Sequence, residues 1–222
     1  MTTLYEEKIR CALCNSENEF TGIGSTNTFL GSPDLDTRPP EMQRSTIFAW
    51  VQRCPECGYC ASDVSKSPPG SETVVNGSEY RKQLNDQAYP ELANSFLCKA
   101  IIDREAHDYA AATWALINAA WVCDDEGRPD EAVVCRHKAA DMLVTAEDHG
   151  QQVAEQNGAS TAILVDLLRR AGRTDDARKA IAERRTGIAE GIIIRILDFQ
   201  SVLIQKGDVS CHKISEAVSE DE

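Results

Sequence analysis

Four of the nine cysteines stand in matched pairs, C-A-L-C at Cys11 and Cys14 and C-P-E-C-G at Cys54 and Cys57. Two such C-x-x-C turns can aim four thiolates at one tetrahedral Zn2+, each sulfur about 2.3 Å from the ion. The 39 residues between the pairs exceed the gap of the tightest zinc ribbons. Lengthening a flexible loop is cheap, however, at about 0.6 kcal/mol per doubling. Four protein ligands leave no open coordination position, so the expected ion is one structural Zn2+ that holds the fold and does no chemistry.

Cys60 completes the run CPECGYC at residues 54–60 and opens a second reading. Cys57 and Cys60 also form a C-x-x-C, so the alternative is a thiol-based redox or metal sensor using Cys57 and Cys60 or labile zinc thiolates. In the C-P-E-C-G-Y turn, Pro55 stiffens the start and Gly58 permits the bend that points N–H groups at the sulfurs. Cys60 lies beyond that bend and is expected as a small buried residue. Cys98, Cys123, Cys135 and Cys211 stand singly and are expected to fill core. Cys135 and His137, two apart on a helix, face different ways, which argues against a second metal site.

Other chemistry has little to work with. No H-E-x-x-H, G-x-x-x-x-G-K-[ST] or G-x-S-x-G occurs. GIGSTNTFLG at 22–31 has glycines but neither a lysine nor a following helix pattern, so it is no phosphate cradle. His107, His137, His149 and His212 fall on expected helices or their ends, where surface and capping roles are ordinary. The chain therefore reads more as a non-enzyme than as an enzyme. D-L-D-T-R-P-P-E at 34–41 is expected either as a surface ion-pair turn or as a recognition loop beside the metal. Trp114, Ile117 and Trp121 share one helix face, as core or as the lining of a peptide groove.

With 36 acids against 23 bases the net charge is −13, which repels phosphate backbones. Residues 1–66 hold nine acids and six bases, or −3, and the rest of the chain supplies −10. This balance counts against a nucleic-acid-associated zinc ribbon, the third reading. There is neither an apolar run long enough to span a membrane nor an apolar signal-peptide core, so a cytoplasmic location is expected.

Two regions must position the cysteines. Residues 1–68 are expected as a small β zinc-ribbon-like domain, with Gly, Pro, Ser and Asp clusters at 22–27, 31–40 and 65–71 and its best strand at STIFAWVQR, 45–53. Residues 76–210 are expected as antiparallel helical hairpins, and 211–222 as an acidic tail. Helices are expected near 78–87, 90–105, 108–124, 129–147, 160–171, 174–185 and 187–206. Pro90 and Pro129 suit first turns. D-E-G-R-P-D-E-A at 125–132 and R-A-G-R-T-D-D-A at 170–177 repeat each other at a shift of 45 residues. In both, glycine follows a helix and acids open the next. Ala132 and Ala177 then mark close helix approach, the grammar of a tetratricopeptide-like array.

Taken together, C-A-L-C, C-P-E-C-G-Y, the D-L-D-T-R-P loop, A-A-W-V at 119–122 and G-R-P-D-E-A at 127–132 resemble a prokaryotic family, domain of unknown function 2225, from about residue 8 to residue 185. The resemblance implies an N-terminal zinc-ribbon-like part, a tetratricopeptide-like helical part, the ligands Cys11, Cys14, Cys54 and Cys57, and no established enzymatic activity. Cys60 departs from the plainer C-P-x-C-G-Y-A ending the family implies. The expected function is a zinc-containing adaptor or scaffold whose helical surface holds a protein partner.

Overall fold

A computed structural model describes residues 2–189 and 191–218. Among these residues the protein is mainly helical, with a small N-terminal antiparallel β hairpin and a cysteine cluster. Strands β1 (Thr3–Arg10) and β2 (Glu17–Ser25) pair from Arg10 opposite Glu17 to Thr3 opposite Ser25. The sequence pattern suggests no strand at β1 and a turn at 22–27, whose first four residues lie in β2. The hairpin escapes a sequence reading because charges dominate β1 and two glycines interrupt β2. Tyr5 lies across Gly22, where a Cβ would fall 2.4 Å from its ring.

The stretch 45–53 is not the strand its alternation suggests. A four-residue helix α1 (Glu41–Arg44) leads into a 3-10 turn over Ile47–Ala49, pinned by Trp50 Nε1 donating to Thr46 Oγ1 at 2.9 Å. Just two residues, β3 (Gln52–Arg53), are extended, and they pair with β4 (Cys60–Ala61) across the second cysteine turn.

Helices α2 (Ser71–Asn76) and α3 (Ser78–Leu84) precede the array α4 (Glu91–Glu105), α5 (Tyr109–Asp125), α6 (Pro129–Asp148), α7 (Ala159–Arg170), α8 (Thr174–Arg184) and α9 (Gly191–Lys206). The six array helices agree closely with the sequence pattern, while α2 has no counterpart in it. Consecutive array helices pack on one another, and α5 and α7 are largely enclosed.

Gly127 and Gly172 end α5 and α7 in the left-handed region at φ 64° and 74°. The next residue in each case closes the turn, Arg128 N donating to Cys123 O and Arg173 N to Leu168 O, both at 2.8 Å. Ala132 and Ala177, five residues further on, are fully buried, so nothing larger separates the helices there. The α4–α5 turn has the same closure, Asp108 N to Asp103 O at 2.8 Å, with His107 at φ 60° in the glycine position. A histidine there hides the third turn from a search for glycine.

One continuous apolar core runs from Cys11, Leu35 and Val64 through the array to Ile204. The final helix α10 (Ile214–Val218) lies against α9. Residues 211–218, expected as part of an acidic tail, are thus partly helical and attached to the body; residues 219–222 lie outside the described residues.

Candidate metal centre

Cys11, Cys14, Cys54 and Cys57 come together with all four Sγ atoms within 4.8 Å of one another. Cys11 Sγ is 3.7 Å from Cys57 Sγ and Cys14 Sγ is 3.5 Å from Cys54 Sγ. A tetrahedral ion about 2.3 Å from each thiolate requires sulfur–sulfur edges of about 3.8 Å. The residues therefore fit a tetrahedral thiophilic cation.

The two cysteine turns have the same backbone. Cys11 N donates to Ser16 O and Asn15 N to Cys11 O, at 2.8 and 3.0 Å; Cys54 N donates to Tyr59 O and Gly58 N to Cys54 O, at 2.8 and 2.9 Å. The residue after each second cysteine takes positive φ, Asn15 at 60° and Gly58 at 78°. This bend turns amide N–H groups toward sulfur: Leu13 and Cys14 toward Cys11, Ser16 toward Cys14, and Tyr59 toward Cys57.

Burial pushes the Cys11 and Cys57 thiols up. Cys14 is exposed, and its hydrogen bonds with Ser16, 3.0 Å between Sγ and Oγ, bring it down to about 6. A cation joining the four sulfurs must displace protons from the buried pair, so its binding falls as pH falls. Ser16 Oγ is also 3.4 Å from Cys54 Sγ and accepts from Asn18 Nδ2 at 3.0 Å. A hydroxyl two residues after a C-x-x-C pair is a legible signal for this role, and one that the reading of the cysteines alone passes over.

The second turn is clamped from the helical side. The Tyr80 hydroxyl on α3 accepts from Cys60 N at 3.0 Å and donates to Gly58 O at 2.9 Å, and Arg81 Nη1 donates to Cys57 O at 3.0 Å. A Cβ on Gly58 would fall 2.5 Å from Leu84 Cδ2. Nothing in the sequence singles out Tyr80, Arg81 or Leu84, because their partners are remote in the chain.

Cys60 is fully buried and outside the cluster, its Sγ 3.4 Å from Gly58 O and beside Cys98. The turn that sends Cys57 toward Cys11 thus sends Cys60 into the α3–α4 core, and no Cys57–Cys60 redox pair is assembled. Cys123 and Cys135 also lie side by side across α5 and α6. Cys98, Cys123 and Cys135 are core, as expected, whereas Cys211 is an exposed residue.

The D-L-D-T-R-P loop is neither a surface turn nor a projecting one. Asp34, Asp36 and Arg38 are 3%, 1% and 5% exposed. Asp36 accepts from Trp121 Nε1 at 2.8 Å and from Arg170 Nη1 at 3.3 Å, and Arg38 pairs with Asp125. Arg170 reaches Asp124 at 2.9 Å, and Asp124 also pairs with Arg136. Burial opposes ionisation of Asp124, but the two arginines hold its carboxyl below the usual range. The loop fastens the cysteine-bearing region to α5 and α7. Trp121 is core, while Trp114 is half-buried and donates to Val153 O at 3.0 Å. His107 and His149 flank Tyr109 at the surface, and His212 lies beyond α9.

No helix among the described residues is long and apolar enough to cross a membrane. Residues 4–190 match the family described as uncharacterized proteins conserved in bacteria, domain of unknown function 2225. No curated protein and no solved structure matches the chain.

Proposed function

We propose that this chain, which belongs to the uncharacterized bacterial family domain of unknown function 2225, is a zinc-containing protein-interaction module: an adaptor or scaffold with a structural four-cysteine zinc site and a helical-repeat surface for a protein partner. Zinc is supported by four sulfurs at tetrahedral edge distances, a soft closed set that suits this ion. Cys11, Cys14, Cys54 and Cys57 would hold it, and its contribution there is structural. Nine free thiols suit a reducing cytoplasmic setting.

The array is read as tetratricopeptide-like because two hairpins repeat at a 45-residue shift with the same turn closure and the same buried alanine. The observation that carries the interaction reading is a groove of about 310 Å³ between α4 and α6. Leu97, Ile101, Leu116 and Met142 line its apolar part, and Glu79, Arg104, Lys138 and Asp141 its charged part. Among the described residues no ion pair engages Lys138, whereas Arg104 is paired with Glu79 at 2.8 Å. A peptide segment carrying apolar side chains and a carboxylate fits this chemistry better than nucleic acid, which the −13 net charge repels.

The test compares wild type with Met142→Arg and Lys138→Glu in cross-linking from the native host. The expected result is a protein captured by wild type and lost from both variants, with metal content and helicity unchanged. Equal capture by all three proteins, or no capture by wild type, contradicts the reading.

A further inference from the structure

After α9 the chain doubles back over the acidic loop. Lys213 forms an antiparallel bridge with Asp34, and the ladder continues with Leu35 N donating to His212 O and Ile214 N to Pro33 O, both at 2.9 Å. Ser215 N donates to Ser32 Oγ at 2.9 Å. On the other side, Arg169, 1% exposed, donates to Asp208 O at 2.7 Å and Ser210 O at 2.9 Å. The segment covers the buried ionic network, and it lies beyond the residues that match the family.

His212 sits at its centre. Nε2 is 3.1 Å from Asp208 Oδ2 and Nδ1 is 2.8 Å from Glu216 Oε2, with the ring edge-on to Phe199 at 5.6 Å. Ser210 Oγ is also 3.1 Å from Nε2. Ser210, His212 and Glu216 therefore have the spacing of a nucleophile, a base and its orienting acid. Asp208 removes that function. It takes the Ser210 hydroxyl at 2.6 Å and faces Nε2 with its other oxygen, so in the protonated ring both nitrogens donate to carboxylates and neither is free to accept the serine proton.

We propose that residues 208–216 are a proton-latched strap: imidazolium at His212 ties Asp208 to Glu216 and seats the segment on residues 32–35 and on Arg169, and loss of that proton releases it. Release would uncover the backbone edge of 33–35 and the Arg169 guanidinium, a surface suited to an extended segment with free carbonyls. The device is independent of the metal and of the α4–α6 groove.

Burial alone would lower the affinity of His212 for its proton, but Glu216 and Asp208 raise it above the ordinary 6.5. The latch is accordingly complete below pH 6.5 and is lost as pH rises through the raised value. From α9, Arg195, Asp198 and Lys206 line a pocket together with Phe199 and Glu216. Arg169 is 3.9 Å from Asp208 Oδ1, Asp34 is held by Arg44 at 2.7 Å, and the Lys213 amide caps Glu216 at 2.7 Å. Phe199, contributed by α9, is uncharged. Although the residue is exposed at its surface, partial desolvation and the nearby Asp34 and Asp36 push the Cys211 thiol up to about 12, outside the range that matters.

Hydrogen exchange of the Leu35, Ile214 and Ser215 amides, read by NMR on metal-loaded full-length protein from about pH 6 to about pH 9, tests the strap. After correction for intrinsic exchange, protection should fall through one titration, by about tenfold for each unit by which His212 is raised. Glu216→Gln and Asp208→Asn should move the midpoint down, and His212→Gln should abolish the pH dependence. Ala132, deep in the array, should keep its protection throughout. Protection that is constant with pH, a midpoint indifferent to Glu216→Gln and Asp208→Asn, or parallel loss at Ala132 overturns the proposal.

Discussion

Gly58 and Asn15 occupy the same place in the two cysteine turns, yet they are not equally replaceable. Both hold positive φ, but Gly58 also lets Leu84 and Arg81 of α3 approach the turn. Gly58→Ala should cost about 1–2 kcal/mol for the left-handed backbone and about another 1–3 kcal/mol for overpacking against Leu84. Asn15→Gly should be close to neutral. Chemical denaturation with metal quantification checks the pair, and a Gly58→Ala loss of no more than about 1–2 kcal/mol, the backbone cost alone, would mean that the α3 contact is immaterial. The four cysteines of the cluster are legible because C-x-x-C is a local signal with a fixed geometric meaning. Ser16 carries a weaker local signal, and Tyr80 carries none. Cys60 reads as buried filler, and its seat against Tyr80 and Cys98 bears this out.

At the scale of elements, the 34–38 loop shares the attachment between the two regions with the α3 clamp on the second cysteine turn. Thr37 sits at φ 66°, costly for a β-branched residue. This bend lets Asp34 N reach Arg38 O at 3.0 Å while Asp36 and Arg38 enter the helices. Thr37→Asn should therefore stabilise by about 1 kcal/mol. Asp36→Ala should destabilise by about 3–5 kcal/mol, since it strands Trp121 Nε1 and buried Arg170. Thermal unfolding of the two variants measures both signs, and a stabilising Asp36→Ala would show that the network is dispensable. The loop's residues are visible in the sequence, but their helical partners are remote in the chain, so a surface turn and a buried clasp look alike. The array helices are readable because their signals are short-range: apolar spacing, Pro90 and Pro129 at the starts, Gly127 and Gly172 at the ends. The alternation at 45–53 misleads because the contacts of Thr46 and Trp50 favour a tight turn there.

Across the whole molecule, the single core makes the four-cysteine cluster and the helices interdependent. Acid should unfold the protein through the buried network as well as through the thiolates. Asp124 is held below its ordinary 3.8, so its contribution is present above that value and is lost as pH falls through the depressed one. Chelation should do more than release an ion: structural zinc in such modules contributes on the order of 10 kcal/mol, and residues 11–60 have few aliphatic side chains to replace it. Metal quantification on freshly purified wild type and Cys54→Ser, together with X-ray absorption at the metal edge, tests the central claim most directly. The account predicts one zinc per chain with four sulfur neighbours at about 2.3 Å in wild type, and loss of both zinc and the fold of residues 11–60 in Cys54→Ser. Metal-free wild type, or a Cys54→Ser protein that keeps its fold without zinc, would contradict it.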